Sequence, residues 1–593
     1  MERKKIVDSV IGLLRREKFS AFIVPSRDCH CSEYVADHWK CREYVSGFDG
    51  SAGTLVVTVK GAALWVDSRY WLQAEAQLEG SGIILMCEGA EGVPSIAGWL
   101  TSLFDKGRVG VDASLYPVSA LEALIGSLAP LEVVATGDIF DELWSDRPPM
   151  PSQPVVSLDE EYCGLRASAK LKRLRHALSI EGDAVYPVTA LDEIAWLLNI
   201  RGGDIEYNPV VVANLLVEAD RATLFVDDSK LSVAVIHRLE REGVVTDDYS
   251  RFDDALSRCG GRRVVFNPAS LSWRHYDLLR LCGAVTEPEK DGAGAVTAMK
   301  AVKNNTEIEG FRRAMVEDGV ALVRFYMWLE ERIIAGRRPT EWELGVKIGE
   351  LRAASPLYRG ESFAPIVGYK ANGAIVHYSA PQKGCKRVGA SGFLLIDSGG
   401  QYLCGTTDIT RTVHMGEVSQ QEKRDFTLVL KGNIDLARAV FPEGTRGCQL
   451  DFLARRHLCA NSLNYLHGTG HGVGHYLCVH EGPQSIRMNE NPVALKPGMV
   501  ITDEPGLYRA GKWGIRLENV LLCVEHSSGA FGRYLAFEPL TLFPFDVRSI
   551  ELDMLTPAQR RWLNRYHDMV YDRLSPRLTG KEKVWLMGKT KNI

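Results

Sequence analysis

The stretch YLHGTGHGVGHYLCVHEGP, Tyr465–Pro483, carries four histidines: His467, His471, His475 and His480. The first three fall four residues apart, a spacing that on a helix would align three imidazoles on one face, as in helical zinc proteases. Gly468, Gly470, Gly472 and Gly474 interleave them. At about 1 kcal/mol each relative to alanine, four glycines would cost a helix roughly 4 kcal/mol. Alternating glycine also lets a backbone pass close to a second strand or a ligand. The stretch therefore reads as extended or looped, and its histidines must find partners from elsewhere in the chain.

Two neighbouring stretches offer such partners. In FLLIDSGGQYLCGTTDITRT an apolar strand ends at Asp397, SGG turns the chain, and Asp408 follows eleven residues on. In GMVITDEPGLYRAGKWGIRLENVLL an apolar strand ends at Glu504, PG turns the chain, and Glu518 follows fourteen residues on. Each reads as a β-hairpin with one acid on each arm. Acids at the ends of Val/Ile/Leu-rich strands sit where burial is expected, and a buried carboxylate needs a cation, a proton or a metal. Single hairpin acids commonly face solvent or pair with arginine, and Arg516 lies two residues before Glu518 on the same strand face. Four acids and an imidazole in one region are a different matter. They form a hard, oxygen-rich set suited to manganese, iron or cobalt more than to a structural zinc site. With so few ligands, two divalent ions would have to share acids around one hydroxide, a common hydrolytic arrangement.

Upstream, an amphipathic helix is followed by short apolar runs (SAFIVP, GTLVVTV, AALWVD, GIILM, RVGVD) alternating with helical stretches. This rhythm indicates a mixed α/β domain. Four prolines in SDRPPMPSQP, Ser145–Pro154, mark a linker. The rhythm then restarts with VVVANLLV, ATLFVDD and RRVVFN, a second α/β domain, and breaks again at EPEKDGAGAV, Glu287–Val296. A long helix follows, opening on the capping-box pattern Thr306-x-x-Glu309 and keeping a helical apolar period through Ile308, Phe311, Met315, Leu322, Tyr326 and Leu329. From about residue 360 strands with Gly-rich turns take over, and the last forty residues are helical and charged. The expected domains are 1–147, 148–296 and 297–593.

Composition narrows the function class. The 593 residues are 46% hydrophobic and 24% charged, with net charge −5, so several soluble domains are expected and no nucleic-acid or membrane surface. No apolar run reaches eighteen residues, and MERKKIVDSVIGLLRREKF has neither a cleavage site nor the acid-poor character of a transit peptide. A cytoplasmic location is expected. The thirteen cysteines are scattered without a C-x-x-C pair, as for reduced thiols. Cys29, His30, Cys31, His38 and Cys41 cluster, but C-x-C-x₆-H-x₂-C fits no ordinary zinc pattern.

The motifs LLIDSGGQY, TTDITRT, GTGHGVG, TDEPG and IRLENV together resemble those of the Xaa-Pro aminopeptidases (aminopeptidase P) of the pita-bread metallopeptidases. SEYVADHWKCREYVSGFDGSAGT, LDEIAWLLNIRGGDIEYNPV, AVKNNTEIEGFRRA and FEPLTLFPFD extend the resemblance to the long, three-domain cytosolic branch. It implies an α/β and α+β multidomain chain: two creatinase-like α/β domains, then a pita-bread catalytic domain. It implies metal ligands Asp397, Asp408, His471, Glu504 and Glu518, with Asp408 and Glu518 bridging two divalent ions, most simply Mn2+, with Co2+, Fe2+ or Zn2+ as alternatives. His377, His467 and His480 would be substrate-side catalytic histidines, Glu504 the general base, and Arg516 a partner of the acids. His475 matches no functional position and is expected to be structural. The implied reaction is release of the N-terminal residue from peptides with proline second, by attack of a metal-bridging hydroxide. The implied assembly is a homodimer, with the first two domains supporting dimerisation and walling off the active-site mouth. Prolidase-type dipeptidase action and a non-catalytic peptide-binding module are the alternatives, and the intact ligand set argues against the second.

Overall fold

Short runs such as Ala21–Pro25 and Thr54–Thr58, almost wholly buried and bounded by turns, build the first half of the chain into strands. The computed structural model describes residues 2–290 and 292–593, and Asp291, in the second expected break, lies outside them. Two compact units are present: Met1–Asp159 with Leu165–Val296, and Glu160–Gly164 with Thr297–Ile593.

The first unit holds two six-stranded sheets. One runs Ile83–Cys87, Gly61–Val66, Thr54–Thr58, Ala21–Pro25, Arg108–Asp112, Glu132–Thr136 in spatial order. The other runs Val244–Asp247, Ala222–Val226, Ala213–Glu218, Val185–Val188, Arg263–Phe266, Val285–Pro288. Numbered by chain position, both have the order 4-3-2-1-5-6. Both also share the same pattern of antiparallel and parallel pairs. The repeating rhythm of the sequence is thus a repeated topology. The break expected over Glu287–Val296 is shorter than that: Glu287 and Pro288 still belong to a strand, and a helix begins at Ala295.

In the second unit helix α1 (Asn305–Ile334) is capped two residues earlier than expected. The box is made by Asn304 and Glu307, not Thr306 and Glu309: the Asn304 side chain accepts from the Glu307 N–H, and Glu307 accepts from the Asn304 N–H. Glu309 instead pairs with Arg312 on the helix surface. The apolar face of α1, with Phe311, Met315, Leu322, Tyr326 and Leu329, joins the main core with Phe393, Leu394 and Ile396. Helix α2 (Glu341–Arg352) follows.

The strands come next: β1 (Tyr358–Glu361), β2 (Ile366–Tyr369), β3 (Phe393–Ser398), β4 (Gly400–Tyr402), β5 (Gly405–Thr406) and β6 (Ile409–His414). Helix α3 (Gln420–Ala437), β7 (Val440–Pro442) and helix α4 (Gly447–Cys459) interrupt the β-rich region. After them run β8 (Gly470–Gly472), β9 (Glu481–Ile486), β10 (Val500–Asp503), β11 (Gly506–Arg509), β12 (Trp513–Arg516), β13 (Asn519–Gly529) and β14 (Gly532–Pro539). Sheets β2-β3-β6 and β7-β14-β13-β10-β8-β9 carry the residues of interest. Helices Pro557–Leu574 and Gly580–Lys589 close the chain, as its charged, periodic end implies.

Candidate metal centre

Both acid-bearing hairpins break where their acids sit. The β3–β6 ladder ends at the pair Ser398–Ile409, and the β4–β5 ladder starts only at Gln401–Thr406. Asp408 lies in that gap. Gly399 lies opposite, where a Cβ would come 1.9 Å from the Thr407 carbonyl oxygen, so only glycine lets the two arms close. The β10–β13 ladder ends at Asp503–Asn519, and β11–β12 starts at Gly506–Arg516. Glu504 and Glu518 occupy that second gap. Three of the four acids therefore stand just outside the strands, and Asp397 alone sits within a ladder, opposite Thr410.

The decisive histidine is on β8. Strand β8 lies between β9 and β10, and its glycines touch both neighbours. His471 Nδ1 donates to the Gly472 carbonyl at 2.9 Å, which leaves Nε2 facing the acids: 3.4 Å from Asp408 Oδ2 and 3.8 Å from Glu504 Oε1. One donor atom each from Asp408, His471 and Glu518 lie within 4.8 Å of one another. Asp397 adds a further oxygen. Its Oδ2 accepts from Arg516 Nη2 at 2.7 Å, while its buried Oδ1 has no hydrogen-bond partner. Arg516 Nε also donates to the Thr410 hydroxyl, which donates to Glu518 Oε2 at 2.8 Å.

Charge is concentrated here. Burial raises the pKa of Glu518 well above the usual carboxylate range, and the neighbouring Asp408, Asp397 and Glu504 raise it further. Burial likewise raises Asp397, against the pull of Arg516. Burial pushes Glu504 up to about 7 in spite of His471 and Arg516. Burial works to lower His471, but the Asp408 hydrogen bond and the Glu504 charge outweigh it and push it up to about 9. Acids held up by burial and by one another, beside an imidazole held up by those acids, are the electrostatics of a site suited to multivalent cations. An unpartnered buried carboxylate oxygen and an O-rich donor set with one imidazole fit hard divalent ions.

Two of the remaining expected histidines, His467 and His480, lie against this cluster. Glu504 stands between His471 and His467, whose Nδ1 is 3.9 Å from Glu504 Oε2. His480 packs its ring edge-on against His471, with centroids 4.4 Å apart. His377 is half-buried and held by its neighbours: Arg516 Nη2 donates to Val376 O, and the Tyr378 hydroxyl bonds Glu341. His475 is buried against Phe311 of α1 with ring centroids 5.6 Å apart. In the cysteine cluster, His30 bonds the Thr189 carbonyl through Nδ1 and the Tyr249 hydroxyl through Nε2, so neither nitrogen is committed to a metal.

Several residues at the site were not legible in the sequence. Tyr508 accepts from Arg516 Nη1 at 2.8 Å and donates to His467 Nε2 at 2.8 Å, joining the acids to the outer histidine. Thr410 and Thr502 orient Glu518 and the His471 N–H. Asp503, beside Glu504, is fully buried with neither carboxylate oxygen hydrogen-bonded, and burial holds its carboxyl well above the usual range. Only the adjacency of Asp503 to Glu504 could have marked it.

Residues 309–525, which hold all of these side chains except those of the cysteine cluster and its partner Tyr249, match the family model for metallopeptidase family M24. Residues 7–143 and 146–307 each match a creatinase/prolidase N-terminal domain, and residues 533–593 match the C-terminal region of peptidase M24. Aminopeptidase P2 of Arabidopsis thaliana is 39% identical over 635 aligned positions, covering 100% of this chain and 89% of its own. The chain belongs to metallopeptidase family M24. A probable Xaa-Pro aminopeptidase P of Laccaria bicolor is also 39% identical, over 97% of this chain and 91% of its own. Among solved structures, the X-prolyl aminopeptidase of Caenorhabditis elegans, described as a cytosolic enzyme with a di-nuclear active site, superposes with a TM-score of 0.92. It is 35% identical and covers 97% of this chain and 95% of its own. The Xaa-Pro dipeptidase of Bacillus anthracis, at 23% identity, TM-score 0.50 and 64% of this chain, shares the fold alone. This M24 chain thus has two creatinase-like N-terminal domains and a pita-bread domain, the long arrangement of the aminopeptidase P branch.

Proposed function

We propose that this chain is a metal-dependent Xaa-Pro aminopeptidase, releasing the N-terminal residue from peptides with proline in second position. The observation that carries this reading is the convergence of Asp408, His471 and Glu518 beside an unpartnered Asp397 oxygen, in a chain matched end to end by aminopeptidase P relatives. Asp397, Asp408, His471, Glu504 and Glu518 would hold two divalent ions, Mn2+ first among them, with Asp408 and Glu518 the acids placed to serve both. When bound, the ions acidify a water and polarise the scissile carbonyl.

The chain's own groups do the rest. A bond to proline nitrogen is a tertiary amide without an N–H, so its leaving nitrogen needs a delivered proton. Glu504 takes the proton of the attacking water and passes it to that nitrogen. His377 and His480 hydrogen-bond the carbonyl oxygen as it gains charge. His467, held by Tyr508, lies across Glu504 from His471 and faces the substrate. The substrate's free α-amine sits against the acids, which limits cleavage to the first residue. Arg516 orients Asp397 and opposes the burial that raises its pKa. We also propose the domain divisions 1–147, 148–296 and 297–593, a homodimer and a cytoplasmic location. No described helix is long and apolar enough to cross a membrane.

The test compares Arg-Pro-Pro with Arg-Ala-Ala, each after chelation and after return of Mn2+. Arginine release from the proline peptide alone, restored by metal, is the expected result. Cleavage of both peptides sinks the proline assignment.

Cation uptake should also release protons. His471, raised to about 9, carries a proton at pH 7, and Glu504, raised to about 7, carries part of one; a cation must displace both. In the metal-free protein the His471 term stabilises the fold below its unfolded value and is lost as pH rises through about 9. The raised Glu504 works in the same direction: it begins to cost stability once pH exceeds its unfolded value, and the cost is complete above about 7. Calorimetric Mn2+ titrations at pH 7 in buffers of different ionisation enthalpy should report roughly one to two protons released per chain. Buffer-independent heats would contradict the ligand set.

A further inference from the structure

The motif TTDITRT supplies Asp408, but its arginine has no part in the chemistry above. Arg411 is 2% exposed, next to the Thr410 that bonds Glu518. Its Nη1 donates to the backbone carbonyls of Thr410 and Glu518. Its Nη2 donates to Asn519 Oδ1 at 2.8 Å, to the Phe543 carbonyl at 2.6 Å and to the Tyr566 hydroxyl at 2.9 Å. Nε reaches the Pro544 carbonyl at 3.3 Å, and the guanidinium lies over the Phe545 ring, 4.2 Å from its centroid.

None of these acceptors is a carboxylate, and among the described residues no ion pair is recorded for Arg411. A buried cation without an ion pair is costly. What offsets the cost is geometry: only a planar group with five donors reaches β6, the start of β13 and the Phe543–Phe545 segment at once. Two of those places matter to the cluster. Thr410 lies on β6 two residues after Asp408, which immediately precedes that strand, and Glu518 immediately precedes β13. The side-chain bond Thr410 Oγ1 to Glu518 Oε2 spans the same gap that the guanidinium braces from the backbone side.

We propose that Arg411 is a positioning residue for the metal centre, setting the separation between β6, which Asp408 immediately precedes, and the chain that carries Glu518. The inference rests on the reading of these two acids as shared ligands. Groups that orient first-layer ligands in this way are worth 10–100-fold in metal affinity.

The test titrates Mn2+ into the chelator-stripped full chain. Absence of binding by the unmutated protein would sink the ligand reading itself. Given binding there, Arg411→Lys, which keeps the charge but loses the planar fork, should fold and lose roughly 10–100-fold in Mn2+ affinity. Arg411→Ala should lose at least as much, and added guanidinium at a non-denaturing concentration should return part of it. Recovery of affinity by a free ion distinguishes positioning from general loosening of the fold, which thermal unfolding of the stripped variants follows separately. Should the alanine variant not fold, Phe545→Leu, which removes only the ring beneath the guanidinium, takes its place with a several-fold loss expected. Unmutated affinity in Arg411→Lys, or in both Arg411→Lys and Phe545→Leu, overturns the proposal.

Discussion

Glu518→Gln is expected to abolish turnover while making the chelator-treated protein more stable. Glutamine keeps the shape of the side chain and an oxygen able to accept from Thr410, so the bond that orients position 518 survives. What is lost is the charge that would be shared between two cations. Turnover should fall roughly 10³-fold or more in kcat/KM, about 4 kcal/mol of transition-state stabilisation. Stability moves the other way. Burial first, then Asp408, Asp397 and Glu504, raise the Glu518 pKa in the folded chain. A raised carboxyl costs nothing while both states are protonated; once pH passes its unfolded value, the unfolded chain ionises freely and the folded one does not. Glutamine titrates in neither state and escapes that loss. Urea unfolding in chelator should therefore show the variant ahead of the unmutated protein at pH 8, with the gap closing near pH 4. Equal midpoints at pH 8 would mean that position 518 is not under like-charge stress, and retained turnover would mean that it holds no cation.

The same site shows what sequence could and could not give. Acids at strand ends announced burial, and four of them near a histidine-rich stretch announced a cation, because composition and spacing determine those things locally. Which histidine faces the acids was not local. It depends on Nδ1 of His471 finding the Gly472 carbonyl and on β8 being held between β9 and β10, contacts made across the fold. The ladder gaps were illegible for the same reason, since a hairpin pattern gives the register of its arms but not where pairing lapses. Helices α3 and α4 were missed within the β-rich part. In α3, DFTLVLKGNIDLA is buried on nearly every side, so its apolar residues lack the one-faced period that marks a surface helix. The cap of α1 was misplaced because two overlapping S/T/N-x-x-E patterns exist, and burial of Glu307 against exposure of Glu309 chooses between them. The AVKNNTEIEG and VHEGP motifs gave no hint that they meet, yet Lys303 of the first, and Lys300 just before it, both pair with the buried Glu481 beside His480.

The glycines that first ruled out a helix lead to the sharpest structural expectation. An added Cβ on Gly470 would lie 2.0 Å from the Thr502 carbonyl oxygen, and on Gly472 2.2 Å from the Glu481 carbonyl oxygen. Both obstacles are backbone of the flanking strands, which cannot swing aside as a side chain does. On Gly468 the nearest atom would be 3.7 Å away, an ordinary contact, and that residue is exposed. Gly470→Ala must therefore push β8 away from β10, at the upper end of the range for overpacking, about 3 kcal/mol. Gly468→Ala should stay within about 0.5 kcal/mol, as surface changes do. Because His471 sits between Gly470 and Gly472, the displacement also moves its Nε2 from Asp408, and Mn2+ affinity should fall with stability in Gly470→Ala alone. Urea midpoints and Mn2+ titrations of the two variants decide the matter. Equal behaviour of the pair would mean that the glycines are there for turn-making and not for close approach. Divergence would show that glycine is present at alternate positions because a metal-facing histidine has to be carried on a strand too tightly flanked to bear any other side chain beside it.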